Sequence, residues 1–434
     1  MSTTRPLLQA ARSSFDEVLP DPDRHGEARH RLRIGLVAPP VVKIPPERYA
    51  GTERIVAVLA DGLVRRGHHV TLFASGDSTS GSEVVAVTPK AAWIDQWSGD
   101  NPSLGLLSAM TALHQARRFD ILHSHVDSMS LPLARLSSVP VVTTFHSRLD
   151  VPGIYESVRG FGDAPLVAIS WSQRRWHPDA NWVATIPHGL PFDGVPFSAR
   201  AGDYLVVVGR ASPDKGIREA IELANATGLP LRIAAKVTDQ SEHDYFKRHV
   251  EPALGARVRN LGEVGPGERD PLLAGARATL MLGAWPEPFG LVAIESLAAG
   301  TPVIARRAGA LPEIIEHGVD GFVIDDASEA RLAVELAATL DRARIRARAL
   351  ERFGAERMID AYEALYQTLV QEHRARAGIG GGSRSAERDR LNGYEGAGAK
   401  ERTTAEGIAG TRPLSIERTS RRNAPPRPVP GPRS

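Results

Sequence analysis

The stretch ATLMLGAWPEPFGLVAIESLAAGTPVIA, residues 278–305, contains one strand–helix–strand unit. ATLMLGA predicts a buried strand, Pro286 and Pro288 stiffen the loop that follows, and a helix begins near Phe289 or Gly290. TPVIA then starts a second strand. Two strands joined through a helix are typical of a parallel sheet, so this unit predicts an α/β fold.

The same alternation of strand and helix extends along the chain in both directions. In the first half, the predicted strands are RIGLVAP, HHVTLFAS, DILHSH, VPVVTTFHS and APLVAIS. In the second half, they are DYLVVVGR, LRIAAK, VRNLGEV, ATLMLGA, TPVIAR and DGFVID. Helical patterns such as GTERIVAVLADGLVRRG lie between them. Near-continuous apolar strands that alternate with helices indicate parallel sheets covered on both faces.

A Pro/Gly-rich stretch at residues 186–203, IPHGLPFDGVPFSARAGD, separates the two series and predicts a linker. The predicted organisation is a poorly ordered segment at 1–30, a first Rossmann-like domain at 31–190, a second at 191–378 and a disordered tail at 379–434. A long amphipathic stretch closes the second domain, and we expect that it can pack back on the first. Ligands of such sheets bind at the carboxyl ends of the strands, so a cleft between the domains is the expected site.

Composition narrows the classes of function. The 434 residues are 42% apolar and 24% charged, and their net charge of +2 gives no electrostatic reason to expect nucleic acid as a partner. The absence of cysteine excludes disulfides and thiol chemistry. No apolar run approaches the roughly 20 residues of a membrane-spanning helix, and the N-terminus lacks the apolar centre of a secretory signal. We therefore expect a cytoplasmic protein.

The segment VVVGRASPDKG contains a candidate phosphate site. Gly209 follows a strand, Arg210 and Lys215 lie on the turn, and Gly216 opens a helix whose free N–H groups attract anions. Two fixed cations at this point would hold a diphosphate and neutralise charge that builds on it. The segment is neither a Walker A loop nor a GxGxxG motif. Two solvated side chains on a surface turn remain the alternative.

Two carboxylates eight positions apart, Glu287 and Glu295, flank the next candidate site. If all the steps between them were helical, the acids would lie about 12 Å apart, wider than the roughly 5–9.5 Å of glycosidase pairs. Because Glu287 lies on a loop, the spacing leaves that role open. The arrangement favours two ends of one elongated ligand, with Glu295 accepting neighbouring ribose hydroxyls and the N–H groups of Phe289, Gly290 and Leu291 binding hydroxyls or phosphate. Glu287 could instead cap the helix.

These motifs in combination carry a resemblance. GRASPDKG, followed about seventy residues later by EPFGLVAIESLAAGTPVIARRAGALPEIIEHGVDGFVID, resembles the donor half of the retaining glycosyltransferases of family 4. IPPERYAGTERIVAVLADGLVRRGHHVTLFASGDS, DILHSHVDS, TTFHS, AISWSQRR and IPHGLP extend it over about residues 33–374. The resemblance implies the GT-B fold, in which two doubly wound Rossmann-like domains face each other across a cleft.

The resemblance also implies roles for individual residues. Arg210 and Lys215, on the turn after Gly209, match the pair that grips the donor diphosphate and stabilises the leaving group. Glu295 matches the ribose-binding acid, and Glu287 the acid that meets the transferred sugar. Other matches are the backbone turn of Phe289, Gly290 and Leu291, the active-site histidine His125, and the glycine-rich loop residues Gly51 and Thr52.

The implied activity is transfer of a sugar from a nucleoside-diphosphate sugar to an acceptor, with retention of anomeric configuration and without an essential metal. The acceptor could be a glycan, a lipid or a small metabolite. The alternatives are a non-catalytic nucleotide-sugar or glycan-binding protein of the same fold and a sugar-nucleotide 2-epimerase. The contiguous EPFGLVAIE motif argues against the epimerase, and the retained charged residues argue against loss of catalysis.

Two positions depart from the family pattern. The first loop commonly reads Gly-Gly but here reads Ala50-Gly51, which restricts the backbone there. His188 replaces the Asn of the usual PNG segment. Of the other histidines, His123 and His125 share a strand face and could form a metal pair, which we do not favour because the sequence has no cysteine and no HxxxH partner. His146 could line the cleft or pack in the core.

Aromatic and basic side chains cluster in SWSQRRWHPDANW. Such a cluster could make weak contact with an anionic membrane that carries a lipid acceptor. We favour the interpretation that the tryptophans pack in the core and that the arginine pair beside them is solvated. The tail from residue 379 onward has 11 Lys or Arg and 6 Asp or Glu, a charge too dilute to decide between them.

Overall fold

The structure is a computed structural model that describes residues 30–48, 50–92 and 102–378. The disorder expected for the N-terminal segment before residue 30 and for the tail from residue 379 falls outside these residues. All the described residues belong to one compact unit. None of the helices in this part of the chain is long and apolar enough to cross a membrane.

In the described residues, the first domain contains a seven-stranded sheet. Its strands are β1 (Arg33–Val37), β2 (His69–Ser75), β3 (Glu83–Thr88), β4 (Ile121–Ser124), β5 (Val141–Thr144), β6 (Leu166–Ala168) and β7 (Trp182–Thr185). They lie in the order β3-β2-β1-β4-β5-β6-β7, and all neighbouring pairs are parallel. The central strands are almost wholly buried because helices cover both faces.

Helices connect these strands. They are α1 (Gly51–Arg65), α2 (Pro102–His114), α3 (Leu131–Ala134), α4 (Pro152–Gly160) and α5 (Trp171–Arg174). Helix α1 forms the main cover of one face, since Ile55, Leu59 and Leu63 recur at helical spacing and are fully buried.

The second domain, in the same described part of the chain, contains a six-stranded sheet. Its strands are β8 (Leu205–Arg210), β9 (Leu231–Lys236), β10 (Val258–Asn260), β11 (Ala278–Met281), β12 (Val303–Arg306) and β13 (Gly321–Ile324). They lie in the order β10-β9-β8-β11-β12-β13, and all pairs are again parallel. The helices are α6 (Ile217–Thr227), α7 (Gln240–Tyr245), α8 (Pro266–Ala274), α9 (Leu291–Ala298), α10 (Leu311–Ile314), α11 (Ala327–Ala337), α12 (Arg342–Phe353) and α13 (Ala355–Arg376).

The predicted fold class of two doubly wound Rossmann-like domains is confirmed. Every predicted strand is present, although most are shorter than their apolar runs. The strands predicted from the sequence do not include β3 and β7, which are the two edges of the first sheet. EVVAVT of β3 does carry a β-branched signal, whereas WVAT of β7 is short and follows a polar segment.

Helix α13 returns from the second domain to the first and packs on α1. Tyr362 and Tyr366 are fully buried there. Glu363 lies between Arg66 NH1, at 2.8 Å, and His68 Nε2, at 3.2 Å. One core cluster therefore continues from the face of the first sheet through α12 and α13 into the second domain.

The linker meets the start of α13. Leu190 N donates to Phe353 O at 3.0 Å, and Ala355 N donates to Leu190 O at 3.0 Å. A Cβ on Gly189 would lie 2.6 Å from Gly354 O, so only glycine fits this approach. The chain therefore crosses between the domains twice at nearly the same place.

Candidate active site

The strand order reverses between β1 and β4 in the first sheet and between β8 and β11 in the second. Ligands of doubly wound sheets bind outside the carboxyl ends of the strands at such points. A cavity of about 440 Å³ is lined there by residues of both domains. Thr52, Glu53 and His125 contribute from the first domain, and Arg210 and Lys236 from the second.

The backbones of two loops of the second domain pack closely against each other. Gly216, at φ +70°, precedes α6, and a Cβ there would lie 2.3 Å from Gly283 N. A Cβ on Gly283 would lie 1.7 Å from Asp214 O. Both positions therefore require glycine, and the loop after β8 is fixed against the loop after β11.

This contact brings Lys215 to Glu287. The Lys215 ammonium contacts the Glu287 carboxylate, and both side chains are only 16% exposed. They line a small cavity with Trp285 and Gly290. The lysine stem runs beside Gly209, where an added Cβ would lie 3.6 Å from Lys215 Cγ, an ordinary van der Waals distance. The two residues predicted from separate motifs thus share one site.

Arg210 is the last residue of β8 rather than part of the turn, which corrects its expected place. Its NH1 lies 3.2 Å from Glu242 Oε1, and its NH2 lies 3.6 Å from Asp214 Oδ2. Glu242 is buried and also accepts from Thr238 N and Oγ1, each at 2.8 Å. The sequence reading missed Glu242 because a single acid in a polar segment carries no distinctive signal.

The loop that carries Glu287 leads directly into α9. A Cβ on Gly309 would lie 2.2 Å from Glu287 O, and Ala310 N donates to that oxygen at 2.8 Å. Gly290 precedes α9 at φ +114°, and Phe289 is buried. The first N–H groups of α9 have no acceptor within the helix and can serve a ligand.

Glu295 lies on the second turn of α9 and is buried. Arg54 of α1 contacts its carboxylate from the first domain, and Arg269 of α8 lies 3.0 Å from the same oxygen, Oε1. Sequence reasoning missed both arginines, because their partner lies far away along the chain.

Histidines form a row at the carboxyl ends of β4 and β5. The two nitrogens of His123 bond to Tyr366 Oη at 2.6 Å and to Thr144 Oγ1 at 2.7 Å. His125 Nδ1 lies 2.9 Å from His146 Nε2. Since hydrogen bonds occupy both His123 nitrogens, this residue is not free to ligate a metal.

The row continues toward the second domain. His146 stacks on His188 with ring centroids 5.1 Å apart, and His188 meets the ring edge of Phe289 at 5.0 Å. Burial holds the pKa of His125 well below its usual value and lowers the pKa of His146 to about 3. These imidazoles are therefore neutral at neutral pH.

The expected glycine-rich loop has Ala50 where the family commonly has glycine. Ala50 has φ −158°, an extended conformation that any residue adopts, so the replacement of glycine by alanine does not strain the backbone.

The predicted donor residues fall on the two walls of one cleft. Gly51, Thr52 and His125 lie on the first-domain wall, and the remaining predicted residues lie on the wall of the second domain. A Cβ on Gly51 would lie 3.4 Å from Leu291 Cδ1, so the starts of α1 and α9 face each other. In the aromatic and basic segment, Arg174 covers the ring of Trp171 at 4.7 Å, and Trp171 N and Ser172 N donate to Glu313 of the second domain at 2.8 and 2.6 Å.

Protein-family models match both domains. One described as Glycosyl transferases group 1 matches residues 198–368, and one described as Glycosyltransferase Family 4 matches residues 49–186. Among curated relatives, the phosphatidyl-myo-inositol mannosyltransferase of Mycobacterium leprae is 25% identical over 336 residues, which cover 71% of this chain and 87% of the relative.

Solved structures agree with this result. AviGT4, a glycosyltransferase involved in avilamycin A biosynthesis, is 26% identical with a TM-score of 0.59, over 78% of this chain and 98% of that one. Anabaena HepE in complex with UDP-glucose has a TM-score of 0.61 over 79% of this chain and 100% of that one. At 17% identity, the second likeness concerns the fold alone.

Proposed function

The chain is a glycosyltransferase of family 4 that uses a nucleotide sugar, and from that premise we propose that it transfers the sugar to an acceptor hydroxyl with retention of anomeric configuration. The observation that carries the proposal is the contact of Lys215 with Glu287 in a small cavity of the second domain. Asp214, which precedes Lys215, lies 3.6 Å from Arg210 NH2, and Arg210 lines the larger cavity that both domains share. A cation pair for a diphosphate and an acid for a sugar are then neighbours.

The proposed roles follow from charge. Arg210 and Lys215 hold the donor diphosphate, whose negative charge competes with the carboxylates that these cations now contact. Their positive charges stabilise the nucleoside diphosphate as it departs, and fixed charges in a site that excludes water are strong catalysts. Glu287 binds hydroxyls of the transferred sugar, and Glu295 accepts the ribose hydroxyls.

The proposed reaction is a front-face substitution. The bond from the anomeric carbon to the phosphate oxygen breaks, and the acceptor oxygen bonds to the same face of that carbon. The departing phosphate takes the acceptor proton, so no side chain acts as nucleophile. His125, which is neutral and borders the cavity, donates or accepts a hydrogen bond at the transferred sugar.

No divalent metal is needed in this scheme, since Arg210 and Lys215 supply the charge that a metal would otherwise supply. The acceptor, whether glycan, lipid or small metabolite, enters from the first-domain side of the cavity. The side chains of Thr52 and Glu53 stand on that side.

A thermal-shift screen with UDP-, GDP- and ADP-sugars, with and without chelator, tests the proposal. A ligand that binds the native state raises the melting temperature, so the true donor should stand out from the panel. NMR of the product formed with an accepted donor then gives the anomeric configuration. Inversion would exclude the front-face route, and loss of activity in chelator would exclude metal independence. A chain that binds a donor without turnover would be the non-catalytic alternative.

A further inference from the structure

Arg54 reaches across the cleft to the acid of the opposite domain. It lies near the start of α1, and its NH1 contacts Oε1 of Glu295 on α9. The close approach of Gly51 to Leu291 shows that the two helix starts face each other at this point. Arg54 therefore joins the two walls of the cleft at the carboxylate proposed for ribose.

The same carboxylate is also held from its own domain. Arg269 NH1 lies 3.0 Å from Glu295 Oε1, while its Nε and NH2 bond to Asp270 Oδ1 at 2.9 and 2.7 Å. The side chains of Arg269 and Glu295 are 9% and 6% exposed. Both guanidiniums use Oε1, and within the described residues Oε2 accepts no hydrogen bond.

We propose that Arg54 is a positioning residue of the donor site, supplied by the opposite domain, which holds Oε1 of Glu295 so that Oε2 receives the ribose of the nucleotide. The inference rests on the proposed function, which assigns Glu295 to ribose. Because the Arg54 contact joins the two walls, their separation would break it, so we expect ribose binding and domain closure to stabilise each other. Such coupling is reciprocal by thermodynamic necessity.

A second ion pair across the cleft is much more exposed. Arg48 NH1 lies 3.5 Å from Glu263 Oε2, but the Arg48 side chain is 70% exposed, so solvent screens the pair and it contributes little. The Arg54 side chain is 26% exposed and meets a buried carboxylate. If Arg54 is replaced, Arg269 still neutralises Glu295, so no buried charge is left unpaired and the fold should persist.

The experiment is a cycle of two changes measured by calorimetry. The ligands are the tightest binder among UDP, GDP and ADP and its 2′,3′-dideoxy counterpart, and the proteins are the wild type and Arg54→Gln. We expect Arg54→Gln to weaken the ribonucleotide about tenfold, within the usual range of coupling between sites, and to leave the dideoxy nucleotide nearly unchanged. Arg54→Lys, which keeps the charge, should restore most of the affinity.

Arg65→Gln is the matched control, because Arg65 ends the same helix and pairs with exposed Glu356 away from the cleft. It should change neither affinity. Small-angle scattering should show compaction by nucleotide in the wild type and less compaction in Arg54→Gln. Thermal melts check that each variant folds.

Equal losses for the two nucleotides, or no loss, would overturn the inference. Tighter ribonucleotide binding by Arg54→Gln would also overturn it, because Arg54 would then compete with ribose. If Glu295→Gln weakens binding and Arg54→Gln does not, the proposed function stands and this inference alone fails. If the wild type binds none of the three nucleotides, the proposed function fails first.

Discussion

Lys215 illustrates how a single side chain depends on contacts far from it in sequence. Its own motif places it before α6, yet its partner Glu287 comes from the loop after β11. The pair forms because glycines let the two loops touch. A lysine on a surface turn and a lysine in a catalytic site share the same local sequence, and only this contact separates them.

Lys215→Ala should therefore reduce turnover more than it reduces stability. Loss of one preformed charge at a developing anion costs roughly 10²–10³ in kcat by analogy with oxyanion-hole donors. Steady-state kinetics with the accepted donor measures the change. Lys247→Ala, at an exposed position, is the control and should behave as wild type. A kcat within about twofold of wild type for Lys215→Ala would remove this residue from the mechanism.

Glu53 should make stability depend on pH. Burial is the main cause that raises its pKa from 4.5 to about 7. The folded chain then binds the proton more tightly than the unfolded chain, so the free energy of unfolding falls as the pH rises from 4.5 to 7. Glu53→Gln removes this loss, on the order of 3 kcal/mol above pH 7 at 1.36 kcal/mol per pKa unit.

Urea titrations of wild type and Glu53→Gln at several pH values measure the difference. The two proteins should be about equally stable below pH 4.5 and diverge above it, with the variant the more stable. Glu222→Gln, at an exposed helix position, should show no such divergence. A constant difference at all pH values would mean that Glu53 does not titrate as described.

At the scale of elements, the contact between the loops after β8 and β11 fixes the second-domain wall of the cleft. Gly283→Ala should disrupt it, because the added Cβ would overlap Asp214 O. Overpacking typically costs about 1–3 kcal/mol, and here the backbones must separate. We expect lower stability in urea and weaker nucleotide binding by calorimetry.

Gly267→Ala provides the matched control for this substitution. Gly267 lies in α8 with no atom within 4 Å of an added Cβ, and alanine favours helix over glycine. Its stability should stay equal or rise slightly. If Gly283→Ala behaved in the same way, the loops could adjust and the contact would not fix the wall.

The elements that the sequence predicts well are those with strong local patterns. The central strands are near-continuous apolar runs, and α1 has apolar residues at helical spacing. Edge strand β7 lacks such a run, so its pairing depends on β6 rather than on its own composition. The limit is physical, because an edge strand is selected by the sheet that it joins.

The residues of the candidate site likewise divide into those that the sequence predicts and those that it does not. Motif residues such as Lys215 and Glu287 are recognisable because their spacing is local. Arg54, Arg269 and Glu242 are not, since each acts on a residue that only the folded chain brings near. Long-range ion pairs leave no periodic signal in a sequence.

At the scale of the whole molecule, the first domain is incomplete without α13, which lies at the end of the described residues. A fragment of residues 30–190 should lack cooperative unfolding, because the surface under Tyr362 and Tyr366 would be exposed. Residues 355–376 joined to it by a short Gly/Ser linker should restore cooperativity, since Leu190 and Ala355 are already hydrogen-bonded. Circular dichroism during urea titration measures this.

The same fusion with Tyr362→Ala and Tyr366→Ala is the control. Removing two buried aromatic side chains costs about 3–5 kcal/mol each, which a small domain cannot sustain. The control should therefore resemble the bare fragment. Cooperative unfolding of the bare fragment would show that the first domain folds without α13.

The return of α13 also orders events during synthesis. A ribosome releases the first domain long before it makes residues 355–376, so that domain must wait with an apolar face uncovered while the second is translated. His123, which needs Tyr366 as a hydrogen-bond partner, waits with it. The first domain is thus synthesised before the second but completes its folding only after α13 has been made. We expect chaperones to bind nascent chains that stall before α13.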